Sequence, residues 1–289
     1  MGGPGNVAPG EPSSAFGVLI RAEAHKPLDG NYLVVPVAAC RALGRSFGMT
    51  PAEAEIAALA SGVCPARYER NLGTIGLAGQ RKLLESRAAV VGLGGLGGLL
   101  AELLARVGVG RLILVDGDEF SENNLNRQLL CREEDIGRNK AEAAFERVRA
   151  VNMALDVDVA AVFLEDEGDA HSLLMGADIV LDGLDNNKTR KIVSDYCRKA
   201  SIPFVHGAIG GMWAQAGVFL PEDRTPWEAE DVPDRGVEIS TGNPPFTPAF
   251  TAALQAALAV EVLTGIADVK HGVLHWFDLG NMTMQRLEM

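Results

Sequence analysis

An α/β chain, with a mostly parallel sheet between helices on both faces, is the expectation from three features of this 289-residue sequence. A short apolar run, Ala88 to Val91, passes directly into Gly92, Gly94, Gly95, Gly97 and Gly98, and helical spacing follows from Leu99 to Val107. Two further apolar runs, Arg111 to Val115 and Asp178 to Leu181, each stop at an acidic residue, Asp116 and Asp182. Between such runs lie segments of helical period, and that alternation builds βαβ units around a parallel sheet. Strand, tight glycine turn and helix describe a Rossmann-like nucleotide-binding unit. Its glycines let the backbone approach a phosphate, and the positive end of the following helix favours an anion. Asp116 follows Gly97 by about 20 positions, where such a unit places a carboxylate on ribose hydroxyls.

Taken in order, residues 1–16 read as a flexible start without the basic and apolar regions of a signal peptide. Residues up to 64 form a small N-terminal appendage ending in one or two helices. Val37 to Phe47 has helical spacing, and Thr50, Pro51 and Glu53 supply a cap, a first helical residue and a capping-box acid. The appendage carries no clustered chemistry and reads as a packing cover or dimer-interface element. Residues 65–289 hold the main domain. After Lys140 a helix is expected to about Asn152, then a strand from Leu155 to Phe163, a helix near Ala170 to Met175, and a helix opened by Lys188, Thr189 and Arg190. Strands at Ile202 to Val205 and Ala214 to Leu220 are expected to flank Gly207, Gly210 and Gly211. The proline- and acid-rich segment 221–248 reads as a long irregular loop. A helix from Ala249 to Leu263 and strands at Val273 to Leu279 and Thr283 to Leu287 complete a sheet of about eight strands, antiparallel at its later edge.

Composition narrows the partners. The net charge is −12 and no run of Lys or Arg appears, which argues against nucleic acid. Cys40, Cys64, Cys131 and Cys197 are scattered without a CxxC pair, the usage of reduced thiols in a cytoplasmic protein. Cys131 and Cys197 read as buried small apolar residues. The stretch Ala249 to Leu263 is interrupted by Thr251, Gln255 and Glu261 and reads as too short to span a bilayer, so no membrane anchor is expected. His271 and His275 flank a late strand without a third metal ligand in reach.

Glycine-rich turns of this kind serve dehydrogenases, methyltransferases and flavoproteins as well. Asn124, Arg127 and Lys140 lie just past the carboxyl end of the second strand, where an open α/β sheet places its ligand. An NAD-dependent oxidoreductase leaves these residues without a task, whereas two cations and an amide fit charge developing on a reacting phosphoryl group.

Four pieces, Arg67-Tyr68-Glu69-Arg70 ahead of Gly79-Gln80, the glycine turn 92–98, Asp116-Gly117-Asp118 through Asn124-Leu125-Asn126-Arg127-Gln128 to Lys140, and Asp182-Gly183-Leu184-Asp185-Asn186, carry a specific resemblance. The chain resembles the ThiF/MoeB/HesA family, relatives of the ubiquitin-activating enzymes, which adenylate the C-terminal carboxylate of a small ubiquitin-like protein with ATP. The resemblance covers about residues 65–289 and implies an adenylyltransferase acting on a sulfur-carrier protein that ends in Gly-Gly. It places ATP on Gly92, Gly94, Gly95, Gly97, Asp116, Asp118, Gln128 and Asn186. It gives the reaction to Asn124, Arg127, Lys140 and Asp185, with Mg²⁺ on Asp185. Arg70 would reach across a homodimer to the partner's nucleotide, and segment 221–248 would cross over the carrier's tail. Asp182 is the weaker acid, held behind the site.

Two departures matter. Many relatives hold a structural Zn²⁺ on two CxxC pairs, yet no cysteine follows Cys197, so zinc on four thiolates there is ruled out. Some relatives also take the activated carboxyl on a cysteine of the crossover segment, which here has none, so the reaction is expected to stop at the acyl adenylate. The family's tRNA-modifying branch would need a basic docking surface. A catalytically silent carrier-binding scaffold would lack the polar set that this chain retains.

Overall fold

The computed structural model describes residues 14–28, 30–229 and 232–289, so the expected flexible start lies almost wholly outside the described residues. Along the chain run α1 (Ser14–Ala22), β1 (Leu33–Val35), α2 (Val37–Ser46), α3 (Pro51–Ala60), β2 (Val63–Pro65), α4 (Leu72–Glu85), β3 (Arg87–Val91), α5 (Gly97–Val107), β4 (Arg111–Val115) and α6 (Lys140–Val151). There follow β5 (Asp156–Ala160), α7 (Glu167–Leu174), β6 (Ile179–Asp182), α8 (Asn187–Ala200), β7 (Phe204–Gly210), β8 (Trp213–Phe219), α9 (Glu238–Thr241), α10 (Phe246–Thr264), β9 (Val273–Asp278) and β10 (Thr283–Glu288).

Eight strands form one sheet in the order β10-β9-β8-β7-β6-β3-β4-β5. The strands from β3 to β7 run parallel, while β8, β9 and β10 pair antiparallel with their neighbours. Alternation along the central strands explains why both faces are covered. On β3, Ala88 and Val90 join the core under α4, α5, α6 and α10, whereas Ala89 and Val91 join the opposite core under α7 and α8. On β4, Leu112 and Leu114 face the first core and Ile113 and Val115 the second. Strands buried on both faces are apolar throughout, which is why these runs stood out in the sequence.

The two helices expected at the end of the appendage are α2 and α3, and a third, α1, which the sequence did not lead one to expect, precedes them. The Thr50 capping box forms as expected, with the Thr50 hydroxyl accepting from Glu53 N and the Glu53 carboxylate accepting from Thr50 N. β1 and β2 pair in a small parallel sheet that runs past residue 64. The Tyr68 hydroxyl donates to the buried Glu55 carboxylate at 3.0 Å, tying α3 to the main core.

Four sequence expectations need correction. Gly207 and Gly210 lie within β7, not between strands, because Gln255 of α10 crosses so close that a Cβ at Gly207 would fall 2.3 Å from its carboxamide. Segment 221–248 is not wholly irregular: it holds a 3₁₀ turn at Pro226–Glu228, α9 and the start of α10. α10 begins three residues before Ala249, since Pro248 sits in its first turn, where no intrahelical N–H is needed. At 19 residues α10 is also long and apolar enough to cross a membrane, against the expectation from a 15-residue stretch. It packs instead on β7, β8, α4 and α5, with Thr247, Thr251 and Gln255 buried.

Candidate active site

A cleft of about 360 Å³ opens at the carboxyl ends of β3, β4 and β6, where the chain crosses from one side of β3 to the other. Its floor is a contact among three glycines. Gly92 has φ +83° and donates its N–H to Val115 O at 2.9 Å. A Cβ on Gly97 would lie 1.7 Å from Gly92 O, and one on Gly183 would lie 2.2 Å from the same oxygen. These three glycines bring β3, β6 and α5 together. Gly94 and Gly95 differ, because a Cβ on either would meet nothing closer than 3.5 Å. Packing does not require glycine there, but both residues line the cleft, and no side chain caps the first turn of α5. The bare backbone is suited to an anion's close approach.

The wall from β4 carries the acids and cations. Asp116 accepts from Leu93 N at 2.6 Å and from Asp118 N at 2.8 Å, which fixes the glycine turn against β4. Burial pushes its carboxyl above the usual range, and these two backbone donors oppose the shift. Each oxygen keeps one lone pair for a ligand hydroxyl. Lys140 opens α6 and is only 7% exposed, with its ammonium 2.9 Å from Asp118 Oδ2. Arg127 donates to Asn123 O and Asn126 Oδ1. Gln128 is buried beside Gly94, and its Oε1 has no hydrogen-bond partner. An orphaned buried acceptor in a polar cleft calls for a ligand or water donor. Asn124 does not line the cleft. Its amide closes a capping box with Ser121, and its carbonyl accepts from Arg127 N and Gln128 N, so it shapes the turn that carries both. Val162, Phe163 and Leu164, just beyond β5, add an apolar wall.

At the end of β6, Asp182 has no exposed surface and accepts from Arg190 Nε at 2.9 Å, His206 Nδ1 at 2.6 Å and Leu184 N at 2.9 Å. Burial alone would raise this carboxyl, but Arg190 and His206 hold it below the usual carboxylate range. Burial pushes the His206 imidazole down as well, against the pull of Asp182, and its Nε2 lies 3.1 Å from the Gln215 carboxamide nitrogen. Arg190 also donates to Asn187 Oδ1 and Leu184 O. This network fixes the loop 183–186, which presents Asp185 to the cleft. Asp185 is largely exposed, with Oδ2 at 2.9 Å from the Arg235 guanidinium. Asn186 lines the cleft while its Oδ1 caps α8 through Thr189 N. An Mg²⁺ ion takes one or two carboxylates and completes its octahedron with phosphate oxygens and water. A single accessible Asp185 fits that donor set, and no cluster of three His, Cys, Asp or Glu occurs among the described residues.

Arg70 is exposed on the 3₁₀ turn Ala66–Asn71 and does not line its own chain's cleft. Gly97 likewise lies beneath the cleft rather than on its wall. Sequence reasoning missed Arg190, His206 and Arg235. A signal for Arg190 existed, because an aspartate ending a buried strand needs a cation and Arg190 is the arginine in the next helical turn. His271 pairs with Asp223 at 2.9 Å and takes no part in the cleft.

The comparisons with known proteins come to the same region. The ThiF family model matches residues 68–289. The chain is 35% identical to the SAMP-activating enzyme E1 of Haloferax volcanii over 76% of its own length and 83% of that protein. It is 35% identical to the sulfur carrier protein ThiS adenylyltransferase of Bacillus subtilis over 74% of its length, spanning 65% of that protein. A solved structure of E. coli MccB with ATP shares the fold, with TM-score 0.66 at 23% identity over 77% of this chain and 71% of MccB. On these grounds the chain belongs to the ThiF family.

Proposed function

We propose that this protein uses ATP to adenylate the C-terminal glycine carboxylate of a small ubiquitin-like sulfur-carrier protein ending in Gly-Gly, releasing pyrophosphate. The observation that carries the reading is the buried Lys140 ammonium facing a glycine-walled cleft whose Gln128 acceptor lacks a partner. Such a cleft favours a polyanion with donors of its own. Relatives named for activating SAMP or ThiS support this substrate class.

In this reading ATP lies along Gly92 to Gly97, with ribose hydroxyls on the free lone pairs of Asp116 and the base against Phe163. Arg127, Lys140, Gln128 and Asn186 surround the phosphates, Asp118 steers Lys140, and Asn124 sets the turn that aims Arg127. Asp185 would hold Mg²⁺, which neutralises triphosphate charge when bound. The carrier's carboxylate attacks the α-phosphorus, a new acyl C–O–P link forms and pyrophosphate leaves. A carboxylate is already ionised at neutral pH, so no general base is needed, and the residues align and neutralise. Arg70 completes the neighbour's site in a homodimer, with the appendage, residues 1–64, as cover to that assembly, and the enzyme works in the cytoplasm.

The reaction ends at the adenylate. Segment 221–248 has no cysteine, and all four thiols are buried. Burial pushes Cys40 and Cys64 up to about 12 and raises Cys131 and Cys197 as well, so none is a ready thiolate.

The test is ATP–pyrophosphate exchange driven by added carrier. Lys140→Ala and Arg127→Ala should each lower it by about 10²- to 10³-fold, the cost of one charge-matched contact in a transition state. Near-normal exchange in both variants would sink the assignment.

A further inference from the structure

Four cations line the cleft among the described residues: Arg127, Lys140, Arg190 and Arg235. The first three are held by groups other than the candidate metal ligand. Arg127 rests on a carbonyl and a carboxamide, Lys140 on Asp118, and Arg190 on the buried Asp182. Arg235 is different, because its polar partner is Asp185, the carboxylate best suited to a divalent cation. Two cations competing for one carboxylate repel each other, so metal loading frees the guanidinium.

The freed group remains in the cleft because its backbone is fastened. Asn187 donates to Asp234 O at 2.8 Å and to Pro233 O at 2.6 Å, and Lys188 N donates to Asp234 Oδ1 at 2.9 Å. Downstream, Gly211 N donates to Gly242 O at 2.7 Å, and Asn126 donates to Asn243 O at 3.1 Å. The segment carrying Arg235 is therefore clamped to the first turn of α8 on one side and to the β7–β8 turn and segment 121–128 on the other. Only the side chain needs to exchange partners. It lines the same cleft as Lys140, and in the adenylation reading the ligand of that cleft brings several oxyanions.

We propose that Arg235 is a further catalytic residue: it holds Asp185 while the cleft is empty of metal, and on metal loading it turns its guanidinium to an oxyanion of the reactants. The inference rests on the adenylation reading above. That oxyanion belongs either to the triphosphate or to the carrier's carboxylate, both of which suit a planar fork of N–H donors.

The experiment uses the full chain, a fluorescent non-hydrolysable ATP analogue, MgCl₂ and a carrier ending in Gly-Gly. Removing the competitor for Asp185 in Arg235→Ala should lower the half-saturating Mg²⁺ for analogue binding by about two- to fivefold, the range of an exposed ion pair. Carrier-dependent exchange should fall by about 10²-fold in the same variant. Arg235→Lys, which keeps the charge without the fork, should fall between it and wild type. The two changes have opposite signs, which a merely structural role for the loop does not produce. Weaker analogue binding at saturating Mg²⁺ assigns the oxyanion to the triphosphate. Unchanged analogue binding with a raised KM for carrier assigns it to the carboxylate. Exchange within threefold of wild type, or a half-saturating Mg²⁺ that is unchanged or raised, overturns the role of Arg235 and leaves the adenylation reading standing. A wild-type chain that neither binds the analogue nor exchanges with any carrier takes both down.

Discussion

Asp182 behind the cleft and Glu55 within the appendage, on α3, are both carboxylates with no exposed side-chain surface, each beside an arginine, yet their surroundings treat them oppositely. Asp182 accepts three good hydrogen bonds, two of them from side chains locked by further partners. Glu55 accepts one, from Tyr68 at 3.0 Å, and its other oxygen stands 3.5 Å from Arg67 Nε with neither atom hydrogen-bonded. Accordingly Asp182 is held below the usual carboxylate range, whereas burial raises Glu55 against the weaker pull of Arg67 and Tyr68. The difference teaches where this fold invests its polar order. Behind the cleft, a saturated network fixes the loop that presents Asp185. At the junction with the appendage, a half-satisfied one joins two apolar surfaces and leaves charge unwelcome.

The largest effect this comparison predicts is on stability. Removing one partner of a well-satisfied buried ion pair costs about 3–5 kcal/mol, because the other charge stays buried alone. Asp182→Ala strands Arg190 and unseats His206, so chemical denaturation should register a loss in that range. Glu55→Ala should cost clearly less, because its ionised form is already disfavoured and Arg67 keeps a hydrogen bond to Asn152. Equal losses in the two variants would break the contrast.

The same contrast explains what was legible in the sequence. The parallel half reads directly, because strands buried on both faces must be apolar throughout and the floor of the cleft must be glycine. The bounds expected for β4 match, and β3 and α5 fall within two residues of expectation. The crossover half was harder. Gly207 serves a contact with Gln255, 48 positions away, and Arg235 meets Asp185 across 50 positions, so neither role leaves a local pattern. The cleft-lining residues nearest the glycine turn were legible from chemistry at strand ends. Arg235 on the cleft's wall and His206 beneath it, whose partners lie 50 and 24 positions away, were not, while Arg190 on the helix after Asp182 left a signal that went unread. The appendage's first helix escaped notice because, at nine residues, it is shorter than the window of about 11–18 residues over which a helical period is read.

A smaller effect sharpens the comparison further, since the two carboxylates should respond to pH with opposite signs. The folded value of Asp182 lies below its unfolded one, so its contribution is present above the ordinary aspartate range and is lost as pH falls through the folded value. The folded value of Glu55 lies above its unfolded one, so between the two the folded chain binds the extra proton. Its contribution is complete below the ordinary glutamate range and is lost as pH rises through the folded value. Glu55→Gln removes this titration while keeping an acceptor for the Tyr68 hydroxyl. Relative to wild type, the variant should therefore gain thermal stability as pH is raised from about 4 to about 8, whatever its offset at the acid end. Asp182→Asn should show the reverse, with its deficit shrinking as pH falls towards the folded value. Paired melting curves, across that range for Glu55→Gln and below about pH 4 for Asp182→Asn, decide the matter, and a Glu55→Gln difference that is flat with pH would show that Glu55 is no more costly to ionise in the folded protein than in the unfolded chain.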